Sequence, residues 1–242
     1  MKNTATVIIP TTGSPELIDA VESVLKQTIP TTCYVVCDGM DHYTKVAALA
    51  IEAKWTDNPN FKFCCIPINV GAKGFYGHRI YAAFTHLVDT EYVLYLDQDC
   101  WLDSNHVETC ISIIKKTNSH WSYSLRKICD KSGNYICNDD CESLGKWNVF
   151  SGDYSHIDTN CYCIKTQVAI KLAQVWHGGW GQDRFFLNAL SQYFNNYDCT
   201  GIYTVNYRLA GNEGSVKPEF FHYGNEVMTK KYNGVFPWRK RT

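Results

Sequence analysis

The chain has 242 residues, 45% of them hydrophobic, with 23 Lys+Arg against 24 Asp+Glu and a formal net charge of −1 at pH 7. That length holds one α/β domain, or two small lobes around a cleft, and buries a sizeable core. Near-neutral charge argues against a dominant nucleic-acid surface, and 14% aromatic residues argue against a disordered chain.

Thr6-Val-Ile-Ile9 is a β-branched run closed by Pro10 and reads as a first strand. Ser14 is placed as an N-cap, with Pro15 at the first helical position and Glu16 in the first turn. Leu17, Ile18, Val21, Val24 and Leu25 then share one helical face up to about Gln27. Residues 33–37 form a second strand stopped by Asp38-Gly39, a helix covers 43–55, and 61–68 is a third strand. A helix over 76–87 leads to a fourth strand, 92–96. Buried strands separated by helices imply an α/β fold with a mostly parallel, Rossmann-like sheet flanked by helices. In such sheets ligands bind beyond the carboxyl ends of the strands. Those ends carry Pro10-Thr11-Thr12, Asp38-Gly39, Asn69-Val-Gly71 and Asp97-Gln-Asp99, so residues 1–103 read as a ligand-binding half.

After a helix over 105–116 the pattern changes. Residues 121–125 and 160–164 look like strands, separated by a polar, Gly/Asp/Asn-rich stretch over 130–155. A helix over 166–176, the Gly-rich HGGWGQD and a helix over 184–194 follow. In the last helix Phe185, Phe186, Ala189, Leu190, Tyr193 and Phe194 make an apolar stripe expected to be core. With no linker and no internal repeat, residues 104–242 are expected to share one core with the first half, as a single domain.

No apolar run approaches the ~20 residues of a membrane-spanning helix. The N-terminus MKNTATVIIP has no long apolar stretch ahead of a small-residue cleavage site, so no signal peptide is read. The 12 cysteines lie largely in apolar strand-like runs such as CYVVC and NCYCI, where a free thiol acts as a small hydrophobe. Free thiols in a reducing cytoplasm are expected. Cys129, Cys137 and Cys141 offer a zinc alternative, but without a paired C-x-x-C spacing.

Asp97-Gln98-Asp99 carries the sharpest chemical signal. At the end of a strand, residues i and i+2 point the same way, and two carboxylates so placed repel unless a cation joins them. Mg²⁺ or Mn²⁺ accepts such oxygens together with phosphate oxygens. The plainer reading, an acidic turn capping the next helix, fits the alternating βα context less well. Asp38 suits a base N–H or a ribose hydroxyl, against a solvated Asp-Gly turn. Gly71-x-x-Gly74-x-x-Gly77 lacks the dinucleotide spacing and is read as allowing close backbone approach to a ligand. Arg79 is a phosphate or acidic-rim partner, or else a surface Arg.

These pieces resemble, in order over residues 7–99, the family 2 glycosyltransferases of the GT-A fold. The likeness runs through Val7-Ile-Ile-Pro10, SVLKQT at 23–28, Val35-Val-Cys-Asp38-Gly39, Asn69-Val-Gly71 and Tyr95-Leu-Asp-Gln-Asp99, the last matching the DxD motif. It implies an enzyme using a nucleotide-diphosphate sugar, usually with inversion, and a glycan or lipid-linked acceptor. It also implies a donor site from Pro10, Thr11, Asp38, Gly39, Asn69, Gly71, Arg79 and Asp97, with Mn²⁺ or Mg²⁺ on Asp97 and Asp99. Two departures stand out. GFYGHRIYAA replaces the usual A-R-N-x-G, which weakens the role of Arg79, and Cys100 replaces a third acidic residue.

Inversion needs a base for the acceptor hydroxyl, and Trp180-Gly181-Gln-Asp183 resembles the family's acidic motif ahead of a helix. Asp183 is the candidate base, with Trp180 and Gly181 beside the acceptor. His156, Asp158 and Asn160 alternate on an expected strand and are candidates for sugar hydroxyls, or else a satisfied strand edge. His222 is a candidate third metal ligand, as a downstream His is in many GT-A enzymes. Lys230, Lys231, Arg239, Lys240 and Arg241 around Phe236-Pro-Trp238 suggest peripheral contact with an anionic membrane, against a solvated tail. A sugar nucleotidyltransferase would normally carry a basic Gly-rich loop after the first strand, which Pro10–Pro15 lacks. A non-catalytic sugar-binding protein on the same fold is the rival from another class.

Overall fold

The computed structural model describes residues 3–209 and 216–240. Its first half alternates β1 (Ala5–Thr11), α1 (Leu17–Leu25), β2 (Thr31–Asp38), α2 (Tyr43–Glu52), β3 (Phe61–Ile66), α3 (His78–Phe84) and β4 (Tyr92–Tyr95). All seven residues of β1 are buried, because β2 and β4 both pair with it in parallel, and β3 extends the sheet beyond β2. β3 stops at Ile66 because Pro67 has no N–H for the ladder. α1 buries Leu17, Ala20, Val21 and Val24. Its regular part starts after the expected cap. The Ser14 carbonyl accepts from the Leu17 N–H at 3.1 Å, and the Ser14 hydroxyl donates to Glu16 instead of capping the helix.

The second half contains β5 (Trp101–Leu102), α4 (His106–Thr117), β6 (Trp121–Cys129), β7 (Tyr135–Asn138), β8 (Tyr162–Lys165), α5 (Thr166–Leu172), α6 (Gln182–Tyr193), β9 (Tyr197–Arg208) and α7 (Pro218–Lys231). The sheet order is β3-β2-β1-β4-β8-β6-β9-β5, with β7 on β6. β8 runs antiparallel to both β4 and β6, so it welds the halves into one sheet, while β9 is parallel to β6. The sheet is thus parallel across its first half and mixed beyond it. One apolar core runs from Ala5 to Val205, and a second cluster gathers Leu125, Ile128, Leu144, Phe221, Met228 and Trp238.

Several expectations are corrected. β5, β7, β9 and α7 were not legible. β9 bulges around Gly201 at φ 72°, where its pairing with β6 shifts register around Tyr123 to Arg126. α7 places Gly224 where an apolar residue would mark the buried face; a Cβ there would come within 2.7 Å of Cys141 Sγ. The α6 stripe is only partly core. Phe186, Leu187 and Leu190 are buried, whereas Phe185 and Tyr193 are 64% and 67% exposed. Residues 156–160 are not a strand but the approach to a short 3₁₀ turn at Thr159–Cys161.

The tail is partly packed against the protein, while Lys230, Lys231, Arg239 and Lys240 stay exposed. Trp238 is 1% exposed and donates its indole N–H to Asp140 at 2.8 Å, and Arg239 pairs with the same carboxylate. The Lys240 N–H reaches the Gly201 carbonyl at 3.0 Å. Its aromatic rings therefore serve the second core, and Arg241 lies outside the described residues. All twelve cysteines are free thiols. Among the described residues, no helix is long and apolar enough to cross a membrane. Nor are three or more His, Cys, Asp or Glu gathered as a metal cluster there, at Cys129, Cys137 and Cys141 or elsewhere.

Candidate active site

The carboxyl ends of β1, β2 and β4 open on a cavity of about 820 Å³. Pro10, Thr11, Asp38, Asn69, Gly71, Asp97 and Asp99 line one side; His156, Asp158, Trp180, Gly181 and Asp183 line the other. Residues far apart in the chain meet here because parallel strands deliver their ends to one rim.

On the side formed by the β1, β2 and β4 ends, Asp38 at the end of β2 organises the facing loop. Its Oδ1 accepts from the Val70 N–H at 2.7 Å and its Oδ2 from the Gly71 N–H at 2.9 Å. Gly71 has to be glycine: a Cβ would stand 2.6 Å from Asp38 Oδ2 and 2.2 Å from the Tyr76 carbonyl oxygen. Asn69 accepts from the Ala72 N–H at 2.8 Å, and Gly39 turns the chain with φ 107°. Gln98, between the two aspartates, accepts from the Thr11 hydroxyl at 2.6 Å and the Thr12 N–H at 3.1 Å, which ties the DQD segment to the β1 loop. Arg79 does not line the cavity. Its guanidinium stacks 3.3 Å from the Phe75 ring centroid and donates to the Val70 carbonyl at 3.5 Å, so it braces the loop from behind.

Asp97 lies at the cavity floor. Tyr81 donates its O–H to Oδ1 at 2.9 Å, and the Asn160 amide donates to Oδ2 at 3.0 Å. Desolvation first, then the charges of Asp99 and Asp158, push its carboxyl up to about 7. Burial also raises Asp99, opposed by hydrogen bonds from its own backbone and the Cys100 thiol and by the charge of Arg208. Among the described residues neither carboxylate is in an ion pair. Two crowded carboxylates with a raised proton affinity are a donor set suited to a divalent cation, whose oxygen ligands they supply. His222 is not part of that set: it is exposed on α7 and does not line the cavity.

On the opposite side, Gly181 at φ 81° turns the chain into α6 and places Asp183 in the first helical turn. Asp183 Oδ1 accepts from the Arg184 N–H at 2.9 Å, and Oδ2 lies 3.6 Å from Nδ1 of His156, a buried nitrogen without a hydrogen-bond partner among the described residues. Trp180 is 77% exposed at the mouth, and the Arg184 guanidinium sits 5.7 Å from its ring and 4.9 Å from that of Tyr154. Asp158 pairs with the buried Arg126 at 2.6 Å, and Arg126 also pairs with Asp139 and Glu142. Arg126, Glu142 and Arg208 line the cavity and escaped the sequence reading. A charged residue inside the buried run SYSLRKIC was the one available signal for Arg126. Arg208 sits in the unrecognised β9 and donates to the Asp99 carbonyl at 2.9 Å.

Comparison with known proteins follows the same lines. The family model described as Glycosyl transferase family 2 matches residues 6–164, well over half of the chain. The S. aureus TarS 1–349 fragment, solved with UDP-GlcNAc, superposes with a TM-score of 0.62 at 15% identity over 96% of this chain and 67% of that fragment. Its UDP complex gives 0.61 over 96% and 66%. At that identity the likeness is one of fold. An uncharacterised Haemophilus influenzae protein is 40% identical over 65 residues, 27% of this chain and 44% of its own length, so the chain spans less than half of that curated relative.

Proposed function

We propose, from the premise that this chain belongs to glycosyl transferase family 2, that it moves a sugar from a UDP-sugar to an acceptor hydroxyl with inversion at the anomeric carbon. The observation that carries the reading is one cavity holding Pro10, Thr11 and Asp38, the Asp97/Asp99 pair and Asp183. UDP is favoured among nucleotides because TarS was solved with UDP and with UDP-GlcNAc.

In this mechanism the base and ribose rest against Pro10, Thr11 and Asp38, whose carboxylate oxygens each keep a lone pair after accepting a backbone N–H. Asp97 and Asp99 would hold Mg²⁺ or Mn²⁺, which when bound neutralises the diphosphate as it leaves. Trp180 at the mouth lies flat against the acceptor and orders it. Asp183 takes the proton of the acceptor hydroxyl while that oxygen attacks opposite the departing diphosphate. A single displacement with one base inverts the centre, and holding both reactants in one cleft supplies the proximity.

Titration calorimetry with UDP, GDP, CDP and dTDP, each with Mn²⁺ and again with EDTA, tests the donor site. The expected result is Mn²⁺-dependent binding of UDP, followed by turnover of a UDP-sugar. Absence of binding by all four nucleotides in both conditions would overturn the proposal.

A further inference from the structure

We infer that Asn160 is the positioning residue of the Asp97 carboxylate, and that Arg126 and Asp158 hold Asn160 in place. The inference rests on the metal-assisted reading above, and it gives Asp158 and Asn160 a task other than contact with sugar hydroxyls.

Asn160 is fully buried in the turn before β8, the strand that pairs with β4 next to Asp97. Its Oδ1 accepts from the Asp97 backbone N–H at 2.6 Å. Its Nδ2 donates to Asp97 Oδ2 at 3.0 Å and to Asp158 Oδ1 at 2.7 Å. These partners fix the amide's orientation, because a reversed amide would set its oxygen against two carboxylates and its NH₂ against an N–H. One side chain therefore grips Asp97 at backbone and carboxylate together.

Asp158 is anchored in turn. Its Oδ1 also accepts from the Asn160 backbone N–H at 3.0 Å, and its Oδ2 pairs with Arg126 Nη1 at 2.6 Å. Arg126 is 2% exposed, is held by Asp139 at 2.8 Å and by Glu142, and lies 4.4 Å over the Tyr207 ring. A chain of charge-assisted hydrogen bonds thus runs from β6 to the metal-side carboxylate, and Tyr81 fixes the other oxygen of Asp97. Among the described residues Asp99 has a looser setting, with only the Cys100 thiol donating from a side chain, at 3.6 Å. The geometry makes Asp97 the preset ligand and Asp99 the adjustable one. Outer partners of this kind commonly change metal affinity about 10- to 100-fold when removed.

The test uses Asn160→Ala and Asn160→Ser, neutral replacements that leave the charge around the site unchanged. Mn²⁺ is titrated calorimetrically into UDP-saturated protein, and uridine is titrated separately in EDTA. Expected is a Mn²⁺ dissociation constant raised ten- to a hundredfold by Asn160→Ala and less by Asn160→Ser, with uridine affinity within twofold of the parent. A general loosening of the fold would weaken uridine as much as Mn²⁺, and that parallel loss would overturn the inference. So would Mn²⁺ affinity within twofold of the parent in a natively folded variant. If Asn160→Ala does not fold, Asn160→Ser is read alone by the same criteria. A parent protein that binds UDP but takes up no Mn²⁺ would instead overturn the metal-assisted reading, and the inference with it.

Discussion

Replacing Asp97 with asparagine should stabilise the metal-free protein while removing its metal response. The folded Asp97 carboxyl sits near 7, mainly through desolvation and then the charges of Asp99 and Asp158, against about 3.9 in an unfolded chain. A carboxyl raised on folding contributes stability that is fully present below the unfolded value and is lost as pH rises to the folded one. Three units correspond to about 4 kcal/mol lost by pH 8, of which roughly 1.5 kcal/mol is already gone at pH 5. The substituted amide carries no such penalty, but with its oxygen accepting from Asn160 its NH₂ faces the Tyr81 hydroxyl, which loses its acceptor. One such mismatch costs about 1–3 kcal/mol. The net gain at pH 8 in EDTA is then about 1–3 kcal/mol, a rise of roughly 2–10 °C in Tm for a chain of this size. Thermal unfolding of both proteins in EDTA at pH 5 and pH 8 reads it, and the variant's advantage should be larger at pH 8 by about 2.5 kcal/mol. An advantage independent of pH, or a lower melting temperature at pH 8, would refute the reasoning. With UDP present, added Mn²⁺ should raise the parent's Tm further and leave that of Asp97→Asn unmoved.

Asp183→Asn should keep Mn²⁺-dependent UDP affinity within twofold and cut transfer by about 10²–10⁴; an equal loss of donor affinity, seen by calorimetry, would defeat the division of roles. Gly71→Ala must displace both the Tyr76 carbonyl and the Asp38 carboxylate, so it should cost about 1–3 kcal/mol in denaturant unfolding and weaken UDP more than tenfold. His222→Ala should leave the Mn²⁺ dependence of UDP binding unchanged, since the ring is exposed outside the cavity. A clear shift in Mn²⁺ affinity would return His222 to the metal site.

The first half of the fold was legible because its signals are local. Runs such as TVII and YVLYL have strand length, the helix between β1 and β2 shows a 3.6-residue apolar face, and each strand is followed by the turn that carries a cavity-lining residue. Asp38, Asp97, Asp99 and Asp183 could therefore be named without coordinates, since each sits at the boundary of a local element. Residues 156–160 show the limit of the method: alternation suggested a strand, whereas the chain forms a turn whose side chains answer to Arg126 and Asp97. Phe236-Pro-Trp238 is a second case: aromatics beside lysines look alike in sequence whether they face solvent or, as Trp238 does, a second core.

What the sequence determined alone was the βα alternation and the identity of the groups on the rim, because periodicity and turn chemistry act over a few residues. Tertiary structure decided the rest. The order of strands in the sheet, with β8 between β4 and β6, is not written in any local pattern. That order brings Asn160 to Asp97 across 63 residues and Arg208 to Asp99 across 109. A side chain's partners in a buried polar network are chosen by which strands lie side by side, and no local window contains both.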